Sequence, residues 1–286
     1  MSNYFMNPGD FFANPNLWGI LFAILFGLFW LALLAPRQAT RGTFWIMLVA
    51  GAVVFMPAIA WVQTPLQTLI GKALVHFWTM DQLQDKVLLA VVPQILMGGL
   101  VQEGFKLLPL LVLFYGVRKG VVGPKSFLLL GAAVGAGFAM FETQWVDNSI
   151  IAQGFTWETL KLGWIAYLPF FERFFSVAFH IGSAAFLAYG LARGRGWQYY
   201  LSLVGVHALV NYGAVLYQVE KLTVNQAEIG IAVLSAIIFG LALYSRWHRT
   251  AGMPQEPAAV LDPGADTGKS NPDAVVDGGA TQISST

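Results

Sequence analysis

A few polar side chains lie inside long apolar runs of this 286-residue sequence: Glu103, Lys106, Glu142, His180, His207 and Asn211. An ionisable group at the centre of a bilayer costs roughly 2.5–3.5 kcal/mol on insertion scales, and such groups usually mark a site. Their types suit hydrolysis. A carboxylate beside a histidine can take a proton from water. A second histidine and an amide can donate hydrogen bonds to the oxyanion that forms when water attacks a carbonyl. Two histidines and one glutamate also form a ligand set of hydrolytic zinc sites, and two histidines on neighbouring helices can ligate a haem. Serine chemistry is less attractive, because Ser183 shares a helix with His180 at i+3 and no GxSxG-like turn presents a nucleophile. With no cysteine in the chain, thiolate sites and disulfides are excluded.

The elements that must carry these groups are helices. Seven stretches are long enough to cross a bilayer core, approximately 17–35, 44–62, 87–116, 126–145, 168–192, 197–218 and 228–245. The third carries Pro93, Gly98, Gly99 and Pro109 and is expected to be kinked, tilted or broken in the middle. Segments 63–86 and 146–167 are expected to lie at the membrane surface, with Trp145, Trp157 and Trp164 as anchors. At about 1.5 Å per residue, Glu103, Glu142, His180, His207 and Asn211 fall roughly 15–24 Å below one face, so four helices present polar groups to one layer. Glu103 and Lys106 are i,i+3, and His207 and Asn211 are i,i+4, so each pair shares a helix face. Gly131 with Gly135, and Ala132 with Ala136, give the fourth span stripes for close helix contact. Glu172 and Arg173 lie nearer the opposite surface, on different faces of one helix, each available to a group on another helix.

Composition agrees. Hydrophobic residues make up 57% of the chain and charged residues 11%, which excludes a soluble globular domain, a disordered chain and a nucleic-acid binder. The fold class expected is all-α, a polytopic transmembrane bundle whose immediate partner is the lipid bilayer. Arg37, Arg41, Arg118, Lys119, Lys125, Arg193, Arg195, Arg246 and Arg249 fall on one side, against Lys72, Lys86, Lys161 and Lys221 on the other. The positive-inside rule then places the N-terminus outside and the C-terminus in the cytoplasm. Residues 1–16 are read as an external segment without the basic start of a secretory signal, 17–249 as the membrane domain with its polar site in 87–218, and 250–286 as a disordered cytoplasmic tail. The GADTGKS stretch in that tail lacks the strand and helix of a phosphate-binding loop. No transporter-type repeat is present, which sets a proton-coupled transporter behind a hydrolase or an inert membrane scaffold.

The ordered motifs carry a resemblance. Gln102-Glu103-Gly104-Phe105-Lys106 resembles the EExxK motif of the PrsW family of membrane proteases, and Gly137-Phe138-Ala139-Met140-Phe141-Glu142-Thr143 is similar to its GFAxxEN segment. Phe179-His180-Ile181-Gly182-Ser183, with Glu172-Arg173 before it, resembles the helix of the family's first histidine. His207-Ala208-Leu209-Val210-Asn211 resembles its closing HxxxN motif. The related YhfC group, the CAAX-prenyl endopeptidases and the Aph subunit of gamma-secretase belong to the same superfamily. The resemblance implies a glutamate-based intramembrane endopeptidase of the bacterial cytoplasmic membrane that cuts single-span or membrane-anchored proteins, such as anti-sigma factors. It implies Glu103 and Glu142 as the acids, His180 as assistant in water activation, and His207 with Asn211 as oxyanion stabilisers. Gln102, Lys106 and Arg173 would support them. No cofactor is expected; zinc is the alternative, held by Glu103, His180 and His207. There are two departures, Gln102 where the motif has its first Glu and Thr143 where it has Asn. The first raises the alternative of a catalytically silent scaffold or chaperone.

Overall fold

In a bilayer every backbone N–H and C=O must be paired within its own segment, so apolar runs of this length fold as helices. A computed structural model describes residues 15–35, 41–117, 123–152 and 154–248, and seven of its helices are long and apolar enough to cross a membrane. They are α1 (Leu17–Leu34), α2 (Gly42–Phe77), α3 (Val87–Gly116), α4 (Pro124–Ala152), α5 (Trp164–Ala192), α6 (Gly196–Gln218) and α7 (Val224–Trp247). No strand occurs among the described residues. Residues 1–14, most of the segment read above as external, the tail from residue 249, and Arg37, Arg118 and Lys119 lie outside the described residues.

Two span ends and the course of α3 differ from expectation, each for a physical reason. α2 does not stop at residue 62 but runs on to Phe77, through a π-helical stretch Pro57–Gln63. A widened turn accommodates the hydrogen bond that Pro57 cannot donate, so the helix survives it. Between α2 and α3 lies one short helix, Met80–Asp85, started by a Thr79–Gln82 capping box. α3 is not broken at its middle. Pro93 occupies the first turn of the regular helix Val92–Leu111, where a missing N–H is harmless, and Pro109 leads into a π turn at Val112–Val117. α4 continues past residue 145 to Ala152, because Asp147, Asn148 and Ser149 are buried in helix contacts instead of meeting water. Asn148 Oδ1 accepts from Asn16 N at 2.9 Å, beside α1. Trp145 is likewise no headgroup anchor; it is buried against Phe55, ring to ring at 5.4 Å.

α4 and α5 form the inner pair. In each, 78% of the most apolar stretch is buried, against 17–33% in the other five helices. The small residues of α4 make this possible. A Cβ on Gly131 would lie 2.4 Å from Ala184 O, and one on Gly135 would lie 2.3 Å from His180 O, both on antiparallel α5. Gly137 faces the opposite neighbour, α2, where a Cβ would meet Leu48 O at 1.8 Å. Backbones this close leave no room for a side chain. Gly137→Ala is therefore expected to destabilise the bundle by about 1–3 kcal/mol, the usual cost of overpacking. Denaturant titration of the protein in detergent micelles measures it, and an unchanged midpoint would contradict this packing.

The turn between α5 and α6 sets the level of the histidines. Gly194 adopts φ +71° just past the end of α5, and Arg195 N bonds back to Gly190 O at 2.9 Å, a tight reversal that favours glycine. His180 lies 13 residues before Arg193 and His207 lies 12 residues after Arg195. Arms of nearly equal length bring the two rings level, with centroids 5.4 Å apart.

Candidate active site

Four helices contribute to one buried network. On α3, Lys106 lies one turn beyond Glu103 and its Nζ donates to Glu103 Oε1 at 2.7 Å; both residues are 0% exposed. Lys106 also donates to Ser183 Oγ at 2.7 Å and lies 3.1 Å from His180 Nδ1, both on α5. From α6, His207 Nδ1 lies 2.8 Å from the same Glu103 Oε1. From α4, Glu142 Oε2 lies 2.7 Å from His180 Nε2. Phe138 and Phe179 wall the ammonium, their ring centroids 5.6 and 5.7 Å from Lys106 Nζ.

The chemistry of the donors assigns the protons. An ammonium has no lone pair, so His180 Nδ1 accepts from Lys106 and the His180 ring proton sits on Nε2, facing Glu142. A carboxylate has no proton to give, so His207 donates through Nδ1 to Glu103. Glu103 Oε1 thus receives two hydrogen bonds, while Glu103 Oε2 is buried with no partner. Glu142 Oε2 is close to His180 Nε2 but makes no full hydrogen bond and is buried. The site therefore offers two oxygen lone pairs next to ordered imidazoles.

Each residue singled out from the sequence can now be placed. Glu103, Lys106, Glu142, His180 and His207 come together. Arg173 reaches Glu142 Oε1 at 3.9 Å and binds Glu172 on its own helix. The expectation that Glu172 and Arg173 would each find a partner elsewhere holds for Arg173 alone, because a long guanidinium can curl back to its neighbour. Gln102 points away from the histidines and donates to Gln63 Oε1 of α2 at 3.1 Å. Glu103 is thus the acid of the motif that faces the imidazoles. Asn211 makes no hydrogen bond to the network. Its Nδ2 lies beside Gly98 of α3, 3.6 Å from the position of a Cβ there. Ser183, set aside as a nucleophile, is an acceptor for Lys106, and its own hydroxyl donates to His180 O at 3.3 Å. Gln63 and Gln67 escaped notice because they lie beyond the expected end of the second span; their four-residue spacing, which matches a helix face, was the available signal.

One atom from each of Glu103, His180 and His207 lies within 4.8 Å of the others, so the donors suit a metal in kind. They do not suit it as arranged. Zinc needs oxygen and nitrogen ligands at about 2.0–2.2 Å. The Lys106 ammonium already occupies the space between Glu103 Oε1 and His180 Nδ1, at 2.7 and 3.1 Å. His180 Nε2 is turned to Glu142.

Seven helices long and apolar enough to cross a membrane, around a buried carboxylate, histidine and lysine network, define a multi-pass membrane protein with a buried polar site. A family model described as PrsW family intramembrane metalloprotease matches residues 39–243, more than half of the chain, and the chain belongs to that family of membrane proteases. No curated protein and no solved structure matches it.

Proposed function

We propose that this protein is an intramembrane endopeptidase that cuts a membrane-anchored protein with water activated at Glu103. One observation carries the reading: Glu103 Oε2 is buried and unpartnered, while Oε1 is fixed by Lys106 and His207. Water gives a proton to Glu103 Oε2 as its oxygen bonds to the scissile carbonyl carbon. The tetrahedral oxyanion is met by His207 through Nε2 and by Asn211. The C–N bond then breaks as Glu103 returns the proton to the leaving nitrogen. His180, held between Lys106 and Glu142, orders the base on one side of it and the acid on the other; Arg173 supports Glu142 from behind. No step passes through a metal. The substrate is a single-span or anchored protein, with a regulator such as an anti-sigma factor as the type. The location is the bacterial cytoplasmic membrane, with the N-terminus outside and the Arg-rich ends of the helices in the cytoplasm.

A second reading, an inert scaffold on the same fold, is favoured by the enclosure of Glu103 and Lys106 at 0% exposure and by Gln102 in place of an acid. Comparing the membrane proteomes of a wild-type strain and a Glu103→Ala strain separates the two. The protease reading expects at least one anchored protein to accumulate uncut in the variant, and cleavage by the purified enzyme to persist in strong chelators. Identical proteomes, with a phenotype that survives the substitution, would favour the scaffold.

A further inference from the structure

Beside the acid–histidine network, two helices direct carboxamides at one glycine of a third. Around the position of a Cβ on Gly98, the three nearest atoms are Asn211 Nδ2 of α6 and Gln63 Nε2 and Gln67 Nε2 of α2, each at 3.6 Å. Gln102, one turn further along α3, joins them by donating to Gln63 Oε1. The row is anchored at its other end, where Gln67 Nε2 donates to Gln94 O at 3.0 Å. The π turn Pro57–Gln63 ends on the first of these glutamines, so the irregularity in α2 coincides with the row. Irregular turns of this kind recur at functional sites.

Much of the hydrogen-bonding capacity in this row is unused. A carboxamide has two N–H donors and two acceptor lone pairs. Gln102 is 6% exposed, and its Oε1 is buried without a partner. The Asn211 amide makes no hydrogen bond to the rest of the network, and Gln63 and Gln67 each commit one N–H. A buried polar atom left unpaired, as Gln102 Oε1 is, is expensive in a membrane unless something arrives to pair it, and the half-buried amides beside it are open to the same partner. The amides are neutral and both donate and accept, which suits neither an anion nor a cation. They match a peptide backbone in extended form, whose N–H and C=O groups are freed when a transmembrane helix unwinds. Gly98 places no side chain between its own backbone and the three amides.

We propose that Gly98 and the amides of Gln63, Gln67, Gln102 and Asn211 form a cradle for the unwound backbone of the substrate, next to the point of cleavage. This deepens the protease reading and takes its substrate class from it. The cradle begins at Gln102, adjacent in sequence to Glu103, and Asn211 stands one helical turn from His207. A segment held there is delivered to the acid and the imidazole together. Peptide hydrolysis requires this, because helical backbone keeps its carbonyls bonded within the helix.

Binding of two peptides to the full-length protein in lipid nanodiscs tests the cradle without cleavage. One is a Leu/Ala transmembrane helix; the other has the same sequence with a central Gly-Gly-Ser-Gly that breaks the helix. The broken peptide is expected to bind about tenfold tighter, the size of one or two net hydrogen bonds. Gly98→Ala, whose methyl would sit at ordinary contact distance from the three amides, is expected to remove the preference with little change in thermal stability. The double variant Gln63→Leu with Gln67→Leu should remove it too. Equal binding of the two peptides, or a preference that survives Gly98→Ala and the double substitution, would overturn the proposal. Preferential binding without cleavage upholds the cradle and removes the protease reading; cleavage without preferential binding does the reverse.

Discussion

Glu103→Gln is expected to abolish cleavage, with a loss of about 10²–10⁴-fold, the share a positioned general base contributes. The amide keeps the size of the side chain and can still accept from Lys106 and His207 through its oxygen. It cannot take a proton from water, because the atom in place of Oε2 becomes an NH₂ group. The substitution also leaves the Lys106 charge without a carboxylate at 0% exposure, so some loss of stability accompanies it. The double variant Glu103→Gln with Lys106→Met separates the two effects. Removing both charges is expected to recover the fold, since replacing a buried pair by apolar groups is often neutral, while activity stays lost. Gln102→Glu is the matching control. That side chain meets Gln63 and not the histidines, so adding Gln102→Glu to Glu103→Gln is not expected to restore cleavage. Wild-type cleavage by Glu103→Gln would remove Glu103 from the chemistry.

Lys106→Ala is the second large effect, and it should act on stability and on metal binding at once. Lys106 is the hub of the network, reaching Glu103, Ser183 and His180. Without it, the Glu103 carboxylate stays buried and uncompensated, a change that typically costs about 3–5 kcal/mol. The vacated space lies among Glu103, His180 and His207, the one three-ligand group among the described residues. The variant is therefore expected to gain stoichiometric zinc and, with it, part of the lost stability, since a ligand that binds only the folded state stabilises it. The wild type is expected to show neither. Thermal unfolding with and without added zinc, together with elemental analysis, provides both readouts. Stoichiometric zinc in the wild type, restoring activity after its removal, would show that the ammonium yields to the metal and would return the site to metal chemistry.

Much of this protein is legible in the order of its residues. Seven apolar runs were bound to become seven helices, because backbone groups in hydrocarbon have no other partners. The isolated Glu103, Glu142, His180 and His207 announced themselves by being costly where they are. Counting along straight helices placed them at one depth, since rise per residue is nearly constant. The stripes of α4 told which helix lies inside. Direction around each axis was less accessible. Gln102 and Glu103 are neighbours about 100° apart, and which one faces the imidazoles depends on how α2, α5 and α6 pack against α3. The hub role of Lys106 depends on the same packing, since a long flexible stem can reach several partners, and its choice of Ser183 and His180 is settled by α5 alone. Polarity misled where it was buried. Gln63 and Asn148 looked like the ends of spans, yet they lie inside longer helices because Gln102 of α3 and the backbone of Asn16 beside α1 supply partners that water would have given. Pairing between distant segments is a property of the assembled bundle, and no local pattern encodes it.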